Sequence, residues 1–192
     1  MSTITDGPLL WYLNRSTGLV VLALLTLTAV LGVLSTARGG RLLPRFVGQA
    51  VHRNVALWSV VLLALHVTTA VVDSYVDIRW WQAFLPWWGA TYLPLWLGFG
   101  TLALDALVLV VVTSLLRARM RHRSWRLVHL LSYAAWGVAV AHGLGIGTDL
   151  RNPGWERSAV YASVALVAGI ALIRLVGVTA RHALNQLPGE AR

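Results

Sequence analysis

Cysteine and lysine are both absent from this 192-residue chain, and acidic side chains number only 7. Without cysteine there is no disulfide, iron–sulfur cluster, thiolate metal site or thiol relay, so histidine is left as the ligand for any metal. Without lysine, all 16 basic residues are arginine, and the net charge is +9 with a pI near 11.4. Such a balance invites nucleic acid as a partner. The arginines, however, flank apolar stretches in short clusters and form no continuous basic face, which argues against it. Charged residues make up 12% of the chain and hydrophobic ones 57%, with a mean hydropathy of +0.68. That is the composition of an integral membrane protein in a lipid bilayer, not of a soluble domain. The opening MSTITDGPLLWYLNRSTG lacks a basic n-region, and no small-residue cleavage site follows its first apolar run. It is expected to be a true first span and not a removable signal.

Five segments are long and apolar enough to cross a bilayer: Trp11 to Leu34, Asn54 to Val72, Leu95 to Leu116, Leu127 to Ile146 and Ala159 to Val178. The expected fold class is therefore an all-α bundle of about five transmembrane helices, forming a single domain over residues 1–192. Arg38, Arg41, Arg45 and Arg53 separate the first two spans without an acid, and Arg117, Arg119, Arg121, Arg123 and Arg126 separate the third from the fourth in the same way. The tail carries Arg181 and Arg192 against Glu190, with Arg174 near the end of the last span. The other side holds Asp6, Arg15, Asp73, Asp77, Arg79, Asp149, Arg151, Glu156 and Arg157, five acids against four bases. By the positive-inside rule the N-terminus lies outside and the C-terminus in the cytoplasm. Between spans two and three, IRWWQAFLPWWGATYLPLW is rich in tryptophan and suits an interfacial aromatic belt, or a cap over an outer site. No repeat, low-complexity linker or second domain is evident.

The chemistry lies in four histidines. His52 and His66 sit on the second span 66 − 52 = 14 residues apart, and His129 and His142 on the fourth span 142 − 129 = 13 apart. Fourteen residues rise roughly 21 Å and return to within about 40° of the starting direction, so one helix face presents two imidazoles at two depths. The two spans run parallel, which puts His52 with His129 near the inner surface and His66 with His142 in the outer third. Each level then offers the two neutral nitrogen ligands of a bis-histidine haem. A lone intramembrane histidine is more simply a polar bridge between helices; four in matched pairs favour ligation. The spacing of 13 turns His142 some 140° from His129 in a straight helix, so supercoiling, tilt or an irregularity near Gly137 is required. His122 and His182 lie in basic stretches and suit a solvated surface.

These residues resemble a known family. HRNVALWSVVLLALH and HLLSYAAWGVAVAH, together with WYLNRSTGLVVLALLTL, the LALD of span three and HGLGIGTD, are similar to the ferric reductase-like transmembrane domain. That group includes the cores of NADPH oxidases and ferric reductases and the haem-binding subunit of the bacterial periplasmic methionine sulfoxide reductase system. The resemblance implies two stacked haem b groups, with His52 and His129 ligating the inner iron and His66 and His142 the outer. It also implies a bacterial plasma-membrane location. Relatives of that kind usually have six spans, and the oxidases and reductases carry a cytoplasmic flavin and nicotinamide domain not found in this sequence.

Arg53 and Arg126, near the inner ligands, and Arg15 at the outer level are candidates for haem propionates, or equally for lipid phosphates. Trp136 lies between the two levels, where it either shortens a tunnelling gap or simply packs. Asp105, midway in span three, is a candidate for proton movement or an interhelical hydrogen bond. The expected function is transmembrane electron transfer, the haem-binding component of an oxidoreductase system. The donor is a cytoplasmic flavoprotein reductase linked to NAD(P)H, or a quinol. The acceptor is an extracytoplasmic redox protein, ferric iron or oxygen. The alternatives are a quinol-linked cytochrome b subunit of a respiratory complex and a haem or ion transporter.

Overall fold

The computed structural model describes residues 8–35, 44–74, 76–147 and 153–186. Asp6, Arg38, Arg41, Asp149, Arg151, Glu190 and Arg192 of the charge pattern lie outside them, as do the side chains of Arg45, Arg181 and His182. Five α-helices follow one another: α1 Pro8–Ser35, α2 Arg45–Val72, α3 Pro94–Leu115, α4 His122–Ile146 and α5 Trp155–Gln186. Among the described residues there is no strand. All five are long and apolar enough to cross a bilayer, the architecture of a multi-pass membrane protein. The second span starts at Phe46, eight residues before the expected Asn54, because the helix runs on through His52, Arg53 and Asn54 from Pro44 at its N-cap. Proline fits there, since its missing N–H would have no intrahelical partner.

Several hydroxyls inside the spans are satisfied within their own helix. The hydroxyls of Thr17, Thr26, Thr28, Ser59, Thr69 and Thr113 each donate to the carbonyl four residues earlier, at 2.6 to 3.0 Å. In hydrocarbon that is the cheapest partner a hydroxyl can find.

The packing is by hairpins. α1 lies along α2 and α3 along α4, while the backbones of α2 and α4 stay apart. The two hairpins are joined through α1 and α4, where the Trp136 indole donates to the Thr26 hydroxyl at 3.0 Å. Leu22, Val140 and Val160 form a small core there, with Leu19, Trp136 and Leu144 against it. α5 packs mainly on α1, reaches α4 through Val160, and is tied to the end of α1 by the Arg174 guanidinium, which donates to the Val33 carbonyl at 2.5 Å.

The tryptophan-rich connection between α2 and α3 is folded, with a 3-10 turn at Trp80–Ala83. Buried Gln82 organises it: its carboxamide accepts from the Arg79 N–H at 3.0 Å and donates to the Gly89 carbonyl at 2.7 Å, and its own carbonyl accepts from Thr101 at 2.7 Å. Trp80 and Trp88 stay exposed, as an interfacial belt requires. Because the chain has no native thiol, single cysteines map its topology directly. Asp77→Cys and Arg119→Cys, both at exposed positions, are expected to react with a membrane-impermeant maleimide from opposite faces; labelling from one face contradicts the five-span arrangement.

Candidate functional site: two facing histidine pairs

Each intramembrane histidine is held by the other helix of its hairpin. Nδ1 of His66 bonds the Asn14 carbonyl at 2.9 Å, Nδ1 of His52 the Thr28 carbonyl at 3.1 Å, and Nδ1 of His142 the Trp96 carbonyl at 2.8 Å. A carbonyl oxygen only accepts, so in these three rings Nδ1 carries the proton and Nε2 carries the lone pair. The fourth ring differs: Nδ1 of His129 meets the Ser114 hydroxyl, at a long 3.4 Å.

Glycine makes the close approach possible. A Cβ added at Gly100 would stand 2.6 Å from the His142 ring, one at Gly18 3.0 Å from His66, and one at Gly32 3.6 Å from His52. The rings therefore lie against bare backbone. The Asn14 side chain adds a second tie, donating to the His66 carbonyl at 2.7 Å.

Across the hairpins the rings meet in pairs. The centroids of His52 and His129 are 6.3 Å apart, with ring planes at 60°. His66 and His142 line one cavity of about 250 Å³, together with Gly18, Gly100, Leu22 and Leu104. The same cavity is also bordered by Arg15, Asp73, Gln82, Tyr92 and Glu156. Gln82 and Tyr92 of the tryptophan-rich connection are among these bordering residues. Among the described residues no three His, Cys, Asp or Glu side chains cluster. The ligands come two by two, which suits a metal that brings the rest of its own coordination and does not suit a bare ion in a protein cage.

α4 is an unbroken α-helix from His122 to Ile146, including Gly137, so no irregularity there absorbs the 13-residue spacing. The His129 ring meets Ser114 and stacks on Trp125 with centroids 4.9 Å apart and planes at 24°. Trp125 was not evident in sequence. Its indole Nε1 is buried with no hydrogen-bond partner, and the Arg117 guanidinium covers its ring at 4.5 Å.

The remaining candidates divide by position. Arg15 lines the cavity and also lies over Trp11 at 4.9 Å. Arg53 and Arg126 are exposed near the inner end. Trp136 bridges α4 to α1 between the two levels. Asp105 does not line the cavity, and no hydrogen bond or ion pair to it occurs among the described residues. His122 is exposed, as expected for a surface residue.

Residues 9–149 of the chain match the family described as Domain of unknown function (DUF8596). The chain belongs to this family. The matched stretch covers 149 − 9 + 1 = 141 of 192 residues, takes in all four intramembrane histidines and most of α1 through α4, and stops before α5. No curated protein and no solved structure matches the chain.

Glycine contacts give a direct test of the hairpin geometry. Gly100→Ala drives a methyl into a ring fixed by its own hydrogen bond and is expected to destabilise the protein by about 1–3 kcal/mol. Gly137→Ala, whose Cβ meets nothing within 4 Å, is expected to be neutral or stabilising. Thermal unfolding in detergent compares the two, and equal effects would contradict the geometry.

Proposed function

We propose that the chain is a transmembrane electron-transfer subunit in which His52 with His129, and His66 with His142, each bind the iron of one haem b. The observation that carries this reading is the inner pair. Two imidazoles bound on opposite sides of one iron, through bonds of about 2 Å, place their ring centroids roughly 6–7 Å apart; these rings stand at 6.3 Å. The Nδ1 bonds support it as well. A ligating histidine donates its other ring N–H to an acceptor that fixes its tautomer and orientation, and here three carbonyls and one hydroxyl are so placed.

Two further features fit the group. The outer cavity is mainly apolar with glycine on two walls, as a flat macrocycle requires. The partnerless Trp125 Nε1 is a buried donor at the inner level that a haem carboxylate would satisfy. When bound, the haems supply one-electron chemistry. The chain's own residues do the rest: the histidines bind, the carbonyls of α1 and α3 orient them, and the helices exclude water. Arg15 at the outer mouth, and Arg53 and Arg126 at the inner end, are placed to meet propionates.

On this reading electrons pass from a cytoplasmic flavin- or NAD(P)H-linked donor to an extracytoplasmic acceptor, a redox protein, ferric iron or oxygen. The arginine asymmetry supports the N-terminus outside and the C-terminus in the cytoplasm of a bacterial plasma membrane. Charge crossing the whole membrane field is worth about 2.3 kcal/mol per 100 mV, so turnover is expected to slow or quicken with membrane potential. The resemblance to the ferric reductase-like transmembrane domain agrees with this function.

Reduced-minus-oxidised spectra with haem quantification test it. His52→Ala and His129→Ala are expected to lose the same haem, and His66→Ala and His142→Ala the other. Loss in any other pairing contradicts the assignment by depth.

A further inference from the structure

The two hairpins repeat one another. In α1, the accepting carbonyls of Asn14 and Thr28 are 28 − 14 = 14 residues apart, and so are the glycines at 18 and 32. His66 and His52, the rings they serve, keep the same spacing. Gly18 with His66 and Gly32 with His52 both sum to 84, a constant antiparallel register. In the second hairpin, Trp96 and Gly100 serve His142 in the same manner. Fourteen residues beyond Gly100 stands Ser114, and the matching register, 100 + 142 = 242, pairs it with position 128.

Position 128 is valine; the ligand stands at 129. One residue moves the ring about 1.5 Å along the helix and 100° around it. The repeat is thus broken at one of four ligands, and that ligand alone is held by a hydroxyl and an aromatic stack. Trp125, four residues before His129, lies one turn along the same face. The corresponding residue of α2, four before His52, is Gly48, where an added Cβ meets nothing within 4 Å. The two sides of the inner level therefore differ: α2 is bare, and α4 carries a column of guanidinium, indole and imidazole, with spacings of 4.5 and 4.9 Å.

That column runs from the ligand toward an exposed turn. Arg117, Arg119, Arg121, Arg123 and Arg126 are all exposed, and no acidic residue occurs between positions 116 and 128. Such a surface attracts anions. An indole under a guanidinium also gives a planar ring a face or edge to approach.

We propose that Trp125 is the lead-in of the electron path: a planar anionic reductant, of the kind a phosphate-bearing reduced flavin represents, docks on the arginines of the α3–α4 turn and passes its electron through the indole to the iron held by His129. The proposal rests on the two-haem reading. One electron leaves the donor ring, which is oxidised by one electron and releases its proton to water on the same side. The iron that His52 and His129 would hold would take up that one electron. Trp125 mediates by orbital overlap; no bond forms or breaks there. Ser114 is a positioning residue that keeps His129 in the stack.

The test uses the full chain in proteoliposomes, with reduced FMN supplied anaerobically either at the face carrying the α3–α4 turn or at the opposite face. Trp125→Leu is expected to slow haem reduction from the turn side about tenfold more than reduction from the other side, with haem content per chain measured alongside. Trp125→Phe, which keeps a ring in the gap, is expected to show a smaller slowing on the same side only, and it decides the matter if the Leu variant loses a haem. Equal slowing from both faces means a purely structural role and overturns the proposal, as does wild-type reduction from the turn side. A wild-type chain that binds no haem overturns the two-haem reading itself, and this proposal with it.

Discussion

The bundle depends on main-chain carbonyls of α1 and α3 accepting hydrogen bonds from imidazoles of α2 and α4. In hydrocarbon an unpaired ring N–H has no water to turn to, so each histidine brings a polar group that must be matched inside the protein. A helix interior offers few acceptors, because its carbonyls are already engaged by the N–H four residues on. A carbonyl has two lone pairs, however, and the second can be reached where the side chain one turn away is only a hydrogen atom. Gly18 and Gly100 provide that access. The carbonyl bonds fix the tautomer of the His52, His66 and His142 rings.

From that constraint the rest follows in order. Hairpins packed through glycine and imidazole hold each histidine against its partner helix by Nδ1, and the rings also meet the other hairpin, as His52 and His129 do at 6.3 Å. The two hairpins meet mainly through α1 and α4, with Trp136 and Thr26 at the seam. α2 and α4 stay separated, and the separation contains both histidine pairs. Gln82 and Tyr92 border the level of His66 and His142, whereas the level of His52 and His129 lies beside Trp125 and the arginine-rich turn.

Helices and histidine levels were legible in sequence for different reasons. Apolar runs of twenty residues have few physical alternatives to spanning, and a 14-residue interval preserves the helix face, so His52 and His66 identified themselves. The start of α2 was less visible, since His52, Arg53 and Asn54 interrupt the apolar run without interrupting the helix. The supports of the histidines were not legible, because three are main-chain carbonyls, which every residue carries and no residue type marks. Only the glycines betray them, at the same interval of 14 as the histidines. That coincidence is visible once the hairpin register is known. Trp125 escaped notice because one tryptophan among ten, at the end of a span, reads as part of an interfacial belt. Its stack with His129 arises from a one-residue break in a repeat that the side chains alone do not display.

The central claim is that each histidine pair holds one iron through both of its rings. Electron paramagnetic resonance of the oxidised, purified chain, combined with haem content per chain, measures this most directly. The account predicts two haems per chain, both low-spin, as six-coordinate iron with two imidazoles gives. A dominant high-spin signal, a single haem, or none would contradict it.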